Sequence, residues 1–380
     1  MSRPLPRFCR FLSLMAILGA LFLPFGPGGG VWAAETEPMR VLYLEGGPYT
    51  NYDGNLYGLL RGLYEAGIVA APPGKKESRA LWDNVAASPT GRLRFLADGY
   101  YSANWDEAER GRIRDAILAR IREKKDVDLI LAMGTWAGVD MAGADIETPV
   151  MVLSTSDPYA AGIIQSPLES GRDRVYAMVD PEGLPRQIVF FHKLFPFKRL
   201  GITFDDSPEG RTAAGLDMVE KLAPLLGYEV VSCSGRLDLP DIDEAYRRLL
   251  ACHRDLADKV DAMYVTSSSA LEPGRIPALI EPFIRRGIPT FAQNAEDGVR
   301  QGILLDMARN DPEEEGRFVA RALIQILDGT PPGRAANLFE SGIAISLNMD
   351  TAKAIGWAPP FSLLLSLDRV YRGGVAYPNR

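Results

Sequence analysis

Short apolar segments alternate with longer amphipathic segments along most of the chain. The short segments are rich in Val, Ile and Leu, as is typical of strands buried on both faces of a sheet. The longer ones have apolar residues at three- and four-residue spacing, which predicts helices. The predicted strands are 41–44, 129–133, 150–153, 175–179, 200–204, 229–232, 262–265, 290–292 and 303–305, and the predicted helices are 107–123, 208–226, 242–256, 276–286 and 312–327.

This alternation indicates an α/β protein with parallel sheets covered by helices. The length of 380 residues suits two domains. A polar segment at 154–174 separates the predicted strands into two groups, and further crossings between two lobes are expected near 293–297 and 329–333. The expected domains are therefore lobe 1, with 34–157 and 291–329, and lobe 2, with 158–290 and 330–380.

The first residues have the pattern of a signal peptide. Arg3, Arg7 and Arg10 precede an apolar run at 11–23, and small residues at Val31 and Ala33 suit cleavage after Ala33. A membrane anchor is the alternative, but the run is shorter than the roughly 20 residues that a spanning helix needs. Cys9 precedes the apolar run, so no lipid anchor is expected at the cleavage site. The sequence therefore predicts residues 1–33 to be a leader and the mature protein to be periplasmic.

Net charge and cysteine usage narrow the function further. Removal of 1–33 would change the formal charge from −7 to about −10, which disfavours nucleic acid as a partner. Two cysteines remain, Cys233 and Cys252, in a compartment that permits disulfides. Both a disulfide and a buried free thiol fit the pattern, and the buried thiol is the simpler interpretation because Cys252 lies on the inner face of a predicted helix.

Polar loops follow the predicted strands, where ligands bind in open parallel sheets. These loops carry hydroxyl, acid and amide groups, and three of them add an aromatic ring, which suits a small polar ligand with an apolar part. Helix capping is the ordinary role of any one such residue, so the prediction depends on the coincidence of loops. Thr135 and Asp157 are the strongest single candidates. The candidate ligand-binding residues are Glu45, Tyr49, Thr135, Trp136, Ser156, Asp157, Asp205, Ser207, Glu209, Ser267, Ser268, Gln293 and Asn294.

Catalytic patterns are weak in this sequence. Neither His192 nor His253 lies in a loop that follows a predicted strand, and together with Cys252 they do not have the spacing of a zinc site. The chain has no phosphate-binding loop, nucleophile elbow or dinucleotide fingerprint. We therefore expect no cofactor, no metal and no catalytic residue.

Several motifs resemble a known family, the substrate-binding proteins of ABC importers of the type that includes tryptophan- and tyrosine-binding members. The likeness runs across nearly the whole mature chain. In this family an Asp-Asn pair often follows the strand that here ends at Val265, where this chain has three serines. The resembling segments are Thr135-Trp136-Ala137, Thr148-Pro149-Val150, Ser156-Asp157-Pro158, Leu200-Gly201-Ile202, Ser207-Pro208-Glu209 and the segment 347–356.

The resemblance implies a type I periplasmic-binding fold, with two Rossmann-like lobes joined by three crossings and closing on a ligand. It points to Thr135, Ser156 and Asp157 in lobe 1 and to Ser207 and Glu209 in lobe 2 as cleft residues. It also implies a membrane permease as partner, and we expect a monomer. Two alternatives stay open: a sensory module of the same fold that docks a membrane receptor, and an exported enzyme that uses Asp157 or Glu209 as acid or base.

Overall fold

Thirteen strands in two separate sheets organise the part of the chain that the structure, a computed structural model, describes: residues 37–74, 77–89, 91–272, 274–294, 296–307, 312–340, 342–373 and 375–378. The predicted leader lies outside these residues. The strands are β1 (Met39–Glu45), β2 (Leu93–Ser102), β3 (Leu129–Met133), β4 (Val150–Leu153), β5 (Val175–Ala177), β6 (Arg199–Asp205), β7 (Glu229–Gly235), β8 (Ala262–Val265), β9 (Thr290–Ala292), β10 (Leu305–Met307), β11 (Ile345–Asn348), β12 (Arg369–Arg372) and β13 (Val375–Pro378).

Helices cover both sheets. No described helix combines the length and the apolar character needed to cross a bilayer. The helices are α1 (Thr50–Glu65), α2 (Ser78–Ala86), α3 (Glu107–Glu123), α4 (Gly134–Ala142), α5 (Gly183–Leu194), α6 (Pro208–Ala213), α7 (Leu216–Leu226), α8 (Ile242–Leu256), α9 (Ile276–Ile284), α10 (Glu296–Arg300), α11 (Pro312–Leu327), α12 (Met349–Ala354) and α13 (Phe361–Leu364), with a short 3-10 helix at Pro332–Arg334.

Lobe 1 is built on a five-stranded, all-parallel sheet in the order β2-β1-β3-β4-β5. Side chains alternate between its two faces: Val41 and Tyr43 pack under α1, α2 and α11, while Leu42 and Leu44 pack under α3 and α4. Both faces are apolar because both are covered by helices. This arrangement confirms the predicted α/β class.

Lobe 2 is built on an eight-stranded sheet in the order β13-β12-β11-β10-β9-β8-β6-β7. Five neighbouring strands, β10, β9, β8, β6 and β7, run parallel to one another. Strand β11 runs antiparallel to β10, and β13 runs antiparallel to β12. Leu200 and Ile202 face one apolar layer, and Met263 and Val265 face the other. The second sheet therefore also has helices on both faces.

Helix α11 returns to lobe 1 and crosses α1 closely. A Cβ atom at Gly58 would overlap the backbone of Glu313, and one at Gly316 would overlap the backbone of Asn55. Glycine at both positions lets the two helix backbones approach each other. This crossing fastens the late segment of the chain to the first helix of lobe 1.

Each crossing between the lobes lies later in the chain than the boundaries expected above. The segment 154–174 stays in lobe 1, because Arg174 donates to the backbone carbonyls of Ala142 and Ala144 and the chain then enters β5 of the first sheet. Strands β9 and β10 belong to the second sheet, so the second crossing joins β10 to α11. The third crossing precedes β11. A β-bridge between Val179 and Leu338 places this crossing next to the first one.

A disulfide joins Cys233 in β7 to Cys252 in α8. The sequence favours a buried free thiol at Cys252, and the structure instead has the disulfide, which was the alternative interpretation. Cys252 does lie on the inner face of its helix, at 8% exposure. The bond ties α8 to the edge strand that it covers.

Candidate functional site

A cavity lies between the two lobes, where the carboxyl ends of several strands face each other. Lobe 1 contributes side chains that follow β1, β2 and β3, and lobe 2 contributes residues that follow β6, β7 and β8. The space measures about 60 Å³. The lining residues are Tyr49, Tyr52, Trp105, Thr135, Trp136, Glu209, Gly210, Ala213, Asp238, Ser267, Ser268 and Ser269.

Four aromatic rings form the lobe 1 wall. The rings of Tyr49 and Tyr52 meet edge to face at 5.2 Å, and those of Trp105 and Trp136 meet edge to face at 5.7 Å. Tyr52 links the two pairs, with its ring centroid 6.4 Å from that of Trp105. Their packing against one another fixes the shape of this wall.

The Trp105 indole is held in the cleft by an unusual backbone. Asn104 and Trp105 have φ of 50° and 60°, in the left-handed region that L residues seldom occupy. The indole Nε1 donates to the Pro48 carbonyl at 3.2 Å, and the ring packs on Gly47, where a Cβ atom would overlap it. Strained residues of this kind cluster at ligand-binding sites.

Helix α4 begins at the cavity. Gly134, its first residue, has φ of 83° and lies against the Tyr52 hydroxyl, so that a Cβ atom there would overlap that oxygen. The residue before it, Met133, provides no side-chain cap. The first N–H groups of α4 and the Thr135 hydroxyl are donors suited to a carboxylate oxygen.

Arg110 of α3 joins the two lobes at the edge of the cavity. Its guanidinium contacts both carboxylate oxygens of Asp140 in lobe 1, at 2.8 and 2.9 Å. It also donates to Glu209 of lobe 2 at 2.7 Å and lies 4.7 Å from the Trp136 ring. One cation is thus shared by two carboxylates, which leaves this group negative overall.

Asp238 places a second carboxylate in the cavity. Its Oδ1 accepts from the backbone N and the hydroxyl of Ser269, at 3.0 and 2.7 Å. Burial raises the pKa of Asp238, and Ser269 acts in the opposite direction.

Residues 104–366 match the sequence profile of the family described as ABC transporter substrate binding protein. The chain belongs to this family. The predicted family is therefore confirmed.

Other substrate-binding proteins are similar to this one. A tyrosine-binding protein of Clostridioides difficile (strain R20291) is 24% identical over 236 residues, which span 62% of this chain and 64% of that relative. The ABC domain of Streptococcus pneumoniae solved with L-Trp has a TM-score of 0.67 and 18% identity, over 88% of this chain and 99% of that one. A substrate-binding protein with adhesive properties from Clostridium difficile, solved ligand-free and open, has a TM-score of 0.56 and 19% identity, over 88% and 99%. The likeness to solved structures confirms the fold.

Six of the residues predicted for the substrate-binding site line the cavity. Thr135, one of the two strongest single candidates from the sequence, is among them. Tyr49 is also among them, and burial raises the pKa of its hydroxyl to about 12, so the side chain is neutral near pH 7. The six are Tyr49, Thr135, Trp136, Glu209, Ser267 and Ser268.

Three other predicted residues hold the lining in place instead of facing the cavity. Asp205 accepts from the backbone N–H groups of Leu237 and Asp238, at 2.7 and 3.1 Å. Ser207 caps α6 by accepting from the Gly210 N–H. Gln293 accepts from the Ser267 N–H at 2.9 Å. These contacts position Asp238, Glu209 and the serine loop.

Glu45 and Asp157 do not line this cavity. Glu45 is buried and accepts from the hydroxyls of Tyr43 and Tyr100, both at 2.8 Å, while burial raises its pKa to about 7. Asp157 accepts from the N–H groups of two residues that follow it, at 3.1 and 2.9 Å. It therefore caps a turn, the ordinary role of such a residue after a strand.

Ser156 and Asn294 line a different cavity, of about 80 Å³, where the crossings between the lobes meet. The Ala213 carbonyl lies between the two cavities. It accepts from the Ser156 hydroxyl of lobe 1 at 3.0 Å and from the Gln293 amide of lobe 2 at 2.9 Å. Ser156 thus contacts lobe 2 on the side of the cavity where the crossings between the lobes meet.

The sequence analysis missed Tyr52, Trp105, Asp238 and Ser269 as lining residues. Trp105 follows β2, which was not among the predicted strands, and Asp238 follows β7, which extends three residues beyond its predicted end at Ser232. The loops after β2 and after the true end of β7 were therefore not among the predicted site loops. His253, excluded as a metal ligand, is buried, with Nδ1 2.8 Å from the Leu279 carbonyl.

Proposed function

We propose that the protein is the extracytoplasmic receptor of an ABC importer and captures a small polar or amino-acid-like ligand in the cleft between its lobes. The observation that carries this proposal is a cavity lined from both lobes by the ends of six strands. Polar groups that converge on an aromatic-walled cavity are typical of a small-molecule site. The tyrosine-binding relative and the L-Trp complex of a similar fold support an amino-acid-like ligand.

The lining offers a partner for each part of such a ligand. The start of α4, with the Thr135 hydroxyl, suits a carboxylate, and Asp238 suits an ammonium group. The aromatic wall packs on the remaining apolar part. We therefore propose Tyr49, Thr135, Trp136, Glu209, Ser267 and Ser268 as ligand-binding residues, with Tyr52, Trp105 and Asp238 added.

Capture proceeds by hinge closure in this proposal. The cavity of about 60 Å³ is smaller than the roughly 150 Å³ that admits benzene in an engineered protein core. A ligand with a ring thus needs the lobes to separate before it enters. The contacts of Arg110 with Glu209, of Ser156 with Ala213 and of Arg236 with Glu107 are among those between the lobes that this opening would break.

Export and delivery complete the proposal. Arg-flanked apolar residues at the start of the sequence are the pattern of a cleaved leader, which would release the receptor into the periplasm. The family supports a membrane permease as the partner that receives the ligand. We propose that the receptor acts as a monomer.

A thermal-shift survey of the purified protein tests the proposal. The library contains amino acids, small carboxylates, amines, nucleosides, purines and sugars. A ligand that binds only the folded state stabilises it by about 2.7 kcal/mol at a hundredfold excess over Kd. A melting-temperature rise with one chemical class, together with a smaller radius of gyration by X-ray scattering, is expected. No rise with any class would contradict the receptor function.

A further inference from the structure

The charges and rings of the cleft narrow the ligand class, an inference that rests on the proposed receptor function. We infer that the ligand carries an ammonium group, seated against the aromatic wall and neutralised by Asp238. Compounds of this class include amines, N-methylated ammonium compounds and zwitterions. A carboxylate alone, a sugar or a neutral ring would lack the group that this wall selects.

The charge of the lining is the first argument. Its acidic side chains are Glu209 and Asp238, and no Lys or Arg is among the described residues that line the cavity. Arg110, the nearest cation, is already bonded to Asp140 and Glu209. Arg110, Asp140, Glu209 and Asp238 together are three acidic side chains and one basic side chain. A cleft lined mainly by acidic groups attracts a cation and disfavours an anion.

The aromatic wall is the second argument. Tyr49, Tyr52, Trp105 and Trp136 form a continuous run of ring contacts at centroid distances of 5.2, 6.4 and 5.7 Å. Electron-rich ring faces attract cations, and several rings around one point form the usual recognition site for ammonium groups. Arg110 shows the same preference within this protein, since its guanidinium lies 4.7 Å from the Trp136 ring.

The fixed position of these groups is the third argument. Trp105 keeps its place through left-handed backbone and its bond to Pro48, and Asp238 keeps its place through Ser269 and Asp205. The rings and the carboxylate therefore do not reorganise to receive a charge. Preorganised groups bind a cation more tightly than groups that must first be ordered.

Matched pairs of compounds test the inference by calorimetry. Choline is compared with 3,3-dimethylbutan-1-ol, glycine betaine with 3,3-dimethylbutanoate, and L-tryptophan with indole-3-propionate. Each pair keeps the shape and removes the ammonium charge or group. At least one charged member is expected to bind, and to bind about tenfold or more tightly than its partner.

Two variants assign the effect to the cleft. Asp238→Asn keeps the shape of the side chain and is expected to remove most of the preference for the charged member. The control Asp206→Asn, at an exposed acid outside the lining, should leave the preference unchanged. Trp105→Phe should retain part of the preference, whereas Trp105→Leu should lose more, because only the first keeps a ring. Circular dichroism checks that each variant is folded.

The outcomes are distinct. Equal binding of an ammonium compound and its partner that lacks the ammonium group, or unchanged preference in Asp238→Asn, overturns the inference. The inference is also wrong if no member of the pairs binds but a survey compound without a cationic nitrogen does. In that case the receptor function is still supported. Absence of binding by every pair and by the whole survey overturns both.

Discussion

Glu209 of lobe 2 lies 2.7 Å from the guanidinium of Arg110 in lobe 1, and both side chains are largely buried, at 13% and 18% exposure. The guanidinium is also held by Asp140 and by the Trp136 ring, which both belong to lobe 1. The contact therefore joins an oriented guanidinium of lobe 1 to a carboxylate on α6 of lobe 2. It stabilises the lobes in the arrangement seen here.

Glu209→Gln should shift the protein towards an open form. Loss of a charge-assisted bond in a largely buried pair costs about 1.5–3 kcal/mol, so ligand affinity should fall about tenfold or more. X-ray scattering at one fixed ligand concentration should show a larger radius of gyration for the variant than for the wild type. The control is Glu65→Gln, which removes an exposed pair with Arg61 inside α1. Equal radii for Glu209→Gln and the wild type would refute this role.

The buried Glu45 should make stability depend on pH. Its pKa is raised from 4.5 to about 7, chiefly by burial, so between these values the folded state binds more protons than the unfolded state. The stability of the wild type should therefore fall as pH rises through this window, by about 3 kcal/mol relative to Glu45→Gln. Urea unfolding of both proteins at pH 4.5 and pH 7.5 measures it, and parallel pH profiles would count against it.

Removal of the disulfide should destabilise lobe 2. Cys233 and Cys252 are 19 residues apart in sequence, and closing a loop of about that length stabilises a fold by about 3 kcal/mol in the chain-entropy description. The double variant Cys233→Ala and Cys252→Ala should unfold at a lower urea concentration. The wild type treated with reductant should behave like the variant. Coincident midpoints for the oxidised wild type and the double variant would show that the bond adds no stability.

The crossing of α1 and α11 should not tolerate a side chain at Gly58. Gly58→Ala places a methyl group against the backbone of Glu313, so the helices must move apart at a cost of about 1–3 kcal/mol. Gly111→Ala is the matched control, because it lies in α3 with open space around its Cβ position. That change should stabilise by about 0.5–1 kcal/mol. In thermal unfolding we expect Gly58→Ala to lower the melting temperature and Gly111→Ala to raise it. A higher melting temperature for Gly58→Ala would contradict the close crossing.

Helix boundaries could be predicted from the sequence where a cap and a clear apolar period coincide. Helices α3 and α8 begin after Asp106 and Asp241, whose carboxylates accept from backbone N–H groups of the first turn. Both ranges agree with the prediction, as does that of α11. The predicted helix 208–226 is divided, because Gly215 has φ of 66° and ends the helical backbone there.

The site could be predicted only in part, because strand ends decide which loops face the cleft. Strand β2 contains charged and small residues, such as Arg94, Asp98 and Gly99, and has no run of Val or Ile to mark it. Its loop carries Trp105, which therefore went unassigned. Asp157 and Thr135 both follow strands of lobe 1, yet only Thr135 enters the lining, since Asp157 turns back to cap its own loop. Local sequence does not encode that difference in direction.

The return of α11 to lobe 1 has a consequence for biosynthesis. The apolar face of α1 is covered by residues 312–327, and the second sheet's strands β6 to β10 are made in between. A growing chain therefore cannot finish its first lobe before most of its second lobe has been translated. The first lobe therefore reaches its folded form only after about four fifths of the chain has been made, although its first strand is among the earliest segments synthesised.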